Sequence, residues 1–177
     1  MFRTITLAGA LTLALAATAA AQRPPMPPGP PNTAAMAPDF LKTAAATDEY
    51  ERQAGRIAAT KGQQPQVRAM GQMLVAHHTR LTQELAQAAR LAGQRPATPI
   101  LNPGYRKMLD LLQREQGADF DKLYLQQQHA THVDALGLMR TYATQGREAP
   151  LRAAAARAQP VIQGHLNQVK QLQMSGR

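Results

Sequence analysis

The sequence predicts an all-α fold: an antiparallel bundle of four long helices, with an extra short helix on the connection between the second and third. Three observations predict it. Beyond residue 38, apolar residues recur at the 3.6-residue period of a helix over four long segments, and no stretch keeps the alternation of a strand. Ala, Leu, Gln, Arg and Met, all good helix formers, dominate those segments. Gly and Pro collect between them, mostly at short connections of the kind that join antiparallel neighbours.

The first helix is expected from about Asp39 to Lys61, with Asp39 as N-cap after Pro38 and Gly62 as the stop. The second runs from about Gln64 to Leu91, with Pro65 tolerated in its first turn and Gly93 beyond its end. "GQRPATPILNPG" is a loop of turn formers, followed by a short helix from about Tyr105 to Glu115 and a break at Gly117. The third long helix spans about Ala118 to Thr144, and "QGREAP" closes it. The fourth covers about Pro150 to Gln173, with a kink expected at Pro160.

Ahead of the bundle domain, residues 39–174, the chain has two segments of different character. "MFRTITLAGALTLALAATAAAQ" has a basic start, a short apolar run and an A-x-A-like site before Gln22. This reads as a removable signal peptide over residues 1–21, and so as export to the periplasm or outer membrane. Residues 22–38, containing "RPPMPPGPPNTAAMAP", read as an extended Pro-rich tether without a packed structure of its own. No segment of the mature chain has the ~20 apolar residues of a membrane span.

The chain contains no cysteine and a single serine, Ser175, which excludes thiol chemistry and leaves no setting for a serine nucleophile. The net charge of +9 could suit nucleic acid, but export and an aromatic content of 4% argue against it, and adhesion to anionic envelope surfaces fits better.

The apolar stripes raise a chemical question. They run Phe40–Ala44–Thr47–Glu51–Ala54 on the first helix and Val67–Gly71–Leu74–His78–Leu81–Leu85 on the second. The third carries Leu125–Gln128–His132–Ala135–Met139, and the fourth Ala158–Val161–His165–Val169. Each stripe has a polar residue near its middle, and at ~1.5 Å of rise per residue the four heights agree within about one turn. Glu51, His78, His132 and His165 should therefore converge in one mid-bundle layer, with His129 as a further nitrogen one turn before His132. His77, about 100° round the helix from His78, should lie at the flank. A carboxylate and three imidazoles suit a single Zn, Fe, Mn or Cu ion. The same residues could equally form a closed polar network, since buried polar groups need partners. Met70, Met73, Met108 and Met139 read better as core fillers than as soft-metal ligands.

"FLKTAAATDEYERQAGRIAA", "MLVAHHTRLTQEL", "FDKLYLQQQHATHVDAL" and "VIQGHLNQVKQL" resemble, in order, the blocks of an exported bacterial family, domain of unknown function 4142. The resemblance implies a ferritin-like bundle, often labelled a predicted outer membrane protein, and no established activity. It maps family-type positions onto Glu51, His78, Asp121 with Tyr124, His132 and His165. Where relatives carry Asp-His, this chain has His77-His78. The paired E-x-x-H helices of a di-iron site are missing: three residues before His78, His132 and His165 stand Val75, His129 and Ile162. Three functions remain in competition at this point: a periplasmic metal-binding bundle, a structural or interaction module of the envelope, and a hydrolase or oxidase with one metal.

Overall fold

The structure is a computed structural model and describes residues 36–175; the expected signal peptide and nearly all of the expected tether lie outside the described residues. Five helices and no strand make up the described part: α1 (Ala37–Lys61), α2 (Pro65–Leu91), α3 (Pro103–Arg114), α4 (Gly117–Gln145) and α5 (Ala149–Ser175). None of these helices is long and apolar enough to cross a membrane.

The helix ends follow from local chemistry. The first helix begins two residues ahead of its expected start. Met36 is its N-cap, Pro38 occupies the first turn where a missing N–H costs nothing, and Asp39 lies within that turn, where its charge suits the helix dipole. The short helix also begins early, because the Asn102 side chain accepts from the Tyr105 N–H at 2.8 Å. Gly117 adopts φ +58°, which only glycine takes at little cost, and opens α4. Helix α5 runs uninterrupted through Pro160, where a kink was expected.

Four packing contacts join the long helices in a ring: α1 with α2, α2 with α5, α5 with α4, and α4 with α1. Contacts between α1 and α2, and between α1 and α4, run in opposite directions along the chain. Asp48 meets Thr82 while Gly55 meets Gly71, and Phe40 stacks on Tyr142 while Tyr50 reaches Gln127. The two hairpins close in the same way. After α1, Arg68 donates to the carbonyls of Gly62 and Gln63 at 2.7 and 2.9 Å; after α4, Arg152 donates to those of Gly146 and Arg147 at 3.1 and 2.7 Å. The buried Asp121 carboxylate accepts from the N–H groups of Gln63 and Gln64 at 2.9 and 2.8 Å, so α4 caps the start of α2. The short α3 packs on α1 and α4: Tyr105 stacks on Tyr50, and Lys61 donates to the carbonyls of Leu112 and Gln113 at its end.

At one crossing the backbones of α1 and α2 come almost into contact. A Cβ on Gly71 would lie 2.5 Å from the Gly55 carbonyl oxygen, and one on Gly55 would lie 2.7 Å from that of Gly71. The core itself is in two parts. One apolar cluster includes Phe40, Leu81, Leu85, Met139, Leu151 and Ile162; the other includes Ala54, Met70, Leu74, Phe120, Leu125 and Val169. Along every long helix the two parts are separated by a polar stretch, centred on Asp48–Glu51, His78, Gln128–His132 and His165. That stretch is the candidate site.

Candidate metal centre

Helix α2 places His78, α4 places His132 and α5 places His165 on inward-facing stripes, and all three imidazoles are no more than 3% exposed. Their ring centroids stand 5.2–5.6 Å apart. One ring nitrogen from each lies within 4.8 Å of the other two. Nitrogens on one Zn ion at ~2.0–2.1 Å can be no more than about 4.2 Å apart, so small ring movements would close the trio on an ion.

The hydrogen bonds fix which nitrogens face inward. His78 Nδ1 lies 2.8 Å from Asp48 Oδ1, so this nitrogen carries a proton and, in the neutral ring, Nε2 carries the lone pair. His78 Nε2 is buried and has no partner. His132 Nδ1 is 2.9 Å from the Gln128 carbonyl oxygen, which can only accept, so His132 too is protonated on Nδ1 with its lone pair on Nε2. That Nε2 stands 3.2 Å from His165 Nδ1. On its other side, His165 Nε2 lies 2.8 Å from His77 Nδ1. Asp48 is held in turn by Thr82, which donates to its Oδ2 at 2.9 Å, and Arg52 donates to Thr82 at 3.0 Å.

The electrostatics separate the imidazoles. Burial alone would lower the His78 pKa, but the Asp48 hydrogen bond and charge, with Glu51 behind them, raise it above the ordinary value. Burial lowers His132 despite Glu51. Burial and then the neighbouring imidazoles of His132, His78 and His77 push His165 down to about 2. His77 is also lowered, by burial and then by Arg80. His132 and His165 are thus held toward the neutral form that ligates a metal, while the carboxylates beside His78 favour a proton that a bound ion would displace.

The expected residues are not all brought together. Glu51 is in the layer and 1% exposed, but it stands on the Nδ1 side of His132, at 3.7 Å, and is not part of the converging trio. Its Oε1 accepts from Thr131 Oγ1 at 2.6 Å, while Oε2 is buried without a partner. His129 is half-buried and outside the trio. Sequence reasoning missed Asp48 as the carboxylate that meets His78; the available signal was its position three residues before Glu51, on nearly the same side of the helix. His77 was placed at the flank, and its contact with His165 was missed. Asp121 and Tyr124, family-type positions by resemblance, differ in role: Asp121 caps α2, and the Tyr124 hydroxyl is buried and unpaired, its pKa raised by burial and then by Glu51.

The chain matches no curated protein and no solved structure. A family model does match it, over residues 21–172, which covers the five-helix region almost to its end and begins upstream of α1. With the ordered sequence blocks and the all-helical fold, that match makes the chain a member of the family described as Domain of unknown function (DUF4142).

Proposed function

We propose that the mature protein is an exported, ferritin-like, antiparallel four-helix bundle of the cell envelope, with α3 as the extra helix, and that it binds one transition-metal ion through His78, His132 and His165. The observation that carries this reading is His78 Nε2: a buried lone pair, oriented by Asp48 on the far side of its ring and left without a partner beside two further imidazoles. An unpaired buried acceptor of this kind calls for a ligand. The surroundings of the trio also suit a metal. Asp48 holds His78, the Gln128 carbonyl holds His132, and His77 is in place to hold His165, which is how outer partners orient metal-ligating histidines. Three nitrogen ligands leave room for water as a fourth, and the donor set fits Zn, Fe, Mn or Cu.

A purely structural network is favoured by one fact: five of the six ring nitrogens in the trio already have a protein partner. One experiment separates the two readings. Protein recovered from the periplasm without an affinity tag should carry one metal ion per chain on elemental analysis, and His78→Ala should carry none. A chelator should lower the melting temperature of the parent chain and leave that of His78→Ala unchanged. An ion at 100 times its Kd stabilises the fold by about 2.7 kcal/mol. Metal-free protein from the periplasm, indifferent to chelators and to added metal, would leave only the structural network.

A further inference from the structure

The trio is sealed from solvent, with His78 at 2%, His132 at 1% and His165 at 3% exposure, so an ion needs a way in. One imidazole of the layer is half-exposed: His77, on the flank of α2 that faces α5. Its ring stacks on that of His165 with centroids 5.1 Å apart, and its Nδ1 is 2.8 Å from His165 Nε2. His165 therefore has imidazole on both sides, His77 toward the surface and His132 toward the interior.

We propose that His77 and His165 form an outer capture site for the incoming transition-metal ion, and that the ion passes across the His165 ring from Nε2 to Nδ1 to reach the buried trio. The proposal rests on the metal reading above. The hydrogen-bond directions in the empty cluster support it. The Gln128 carbonyl forces the His132 proton onto Nδ1, so His132 Nε2 accepts, and His165 Nδ1 must donate to it. The remaining His165 lone pair, on Nε2, then points outward at His77. In the empty cluster His77 Nδ1–H donates to that lone pair. Exchange with water moves the His77 proton to its Nε2, and an arriving ion then meets lone pairs on His77 Nδ1 and His165 Nε2 at the surface side before any at the interior side. For the ion to move inward, it displaces the His165 Nδ1 proton to bulk water, and bulk water returns one proton to Nε2 on the His77 side, so the ring stays neutral; the new Nε2–H then donates to His77 Nδ1. His77 acts first as a ligand and afterwards as the acceptor that holds His165 in its metal-binding tautomer.

A capture ligand lowers the barrier in both directions, whereas a resident ligand sets affinity. Stopped-flow uptake of Co(II) by the metal-stripped full chain, followed by its visible absorbance, should separate the two. His77→Ala should slow uptake by about tenfold and, with the partner of His165 Nε2 gone, also weaken Kd. His77→Gln, whose amide can donate to or accept from His165 Nε2 without supplying an imidazole, should keep the parent Kd and one-ion stoichiometry while slowing both uptake and release by about tenfold. His129→Ala, outside the trio, should behave as the parent chain. Parent-like rates in His77→Gln would overturn the capture role, as would a weakened Kd with faster release in that variant. Failure of the parent chain itself to take up Co(II) would overturn the metal reading and this one together.

Discussion

Asp48 sets the tautomer and the orientation of His78 from a helix that contributes none of the three imidazoles. Asp48→Asn keeps the shape and an oxygen for the His78 Nδ1–H, and Thr82 can redirect its hydroxyl wholly to the His78 carbonyl, which it already contacts at 2.8 Å. The negative charge is what disappears. Metal affinity, measured by competition with a chromophoric chelator, should therefore fall about 10–100-fold while the fold persists. An unchanged affinity would mean that the His78–Asp48 pair is only structural. At this scale His78, His132 and His165 were legible, because each interrupts an apolar stripe at a similar height. The choice between Asp48 and Glu51 was not: the two are about 60° apart on α1, and a modest rotation of the helix decides which meets His78. His77 was beyond reach for another reason. Its flank matters only because α5 lies next to α2, and that depends on the order of helices round the ring.

The helices depend on close approach as much as on apolar stripes. Gly55 and Gly71 let α1 and α2 touch backbone to backbone about two turns from His78, and an added methyl at Gly71 would press on the Gly55 carbonyl and on the Ala59 nitrogen at 2.8 Å. Neither is the tip of a flexible side chain, so the helices must separate. Gly71→Ala should destabilise the fold by about 1–3 kcal/mol in urea unfolding. Gly137 is the contrast, exposed on α4 with nothing within 4 Å of an added Cβ. Gly137→Ala should stabilise by about 0.5–1 kcal/mol through helix propensity. Equal effects of the two substitutions would show that the close crossing contributes nothing. The sequence marked Gly71 as a stripe member, yet its pairing with Gly55 depends on inter-helix register, which periodicity does not contain. Helix ends were more accessible, since Gly62, Pro65 and Gly93 act locally; the early start of α3 comes from the Asn102 cap.

At the scale of the whole molecule, the two hairpins share one closing device, and the polar layer lies between two apolar clusters that each draw on both hairpins. Export is the expectation that governs whether such a layer ever meets envelope metal. Intact-mass measurement of the periplasmic fraction should find a chain beginning at Gln22; recovery of the full-length chain from the cytoplasm alone would oppose it. The helical class and segment order were readable because they rest on composition and period, which each stretch of chain carries by itself. How the helices are arranged about the layer is a property of their contacts. One consequence of those contacts concerns fragments. His78 belongs to the first hairpin, while His132 and His165 belong to the second, and the loop between Leu91 and Pro103 is the covalent bridge from the first hairpin through α3 to the second. A protease nick in that loop would make the protein a two-piece complex held by its shared apolar clusters, and a bound ion ligated from both halves would tighten their association, which its removal should weaken.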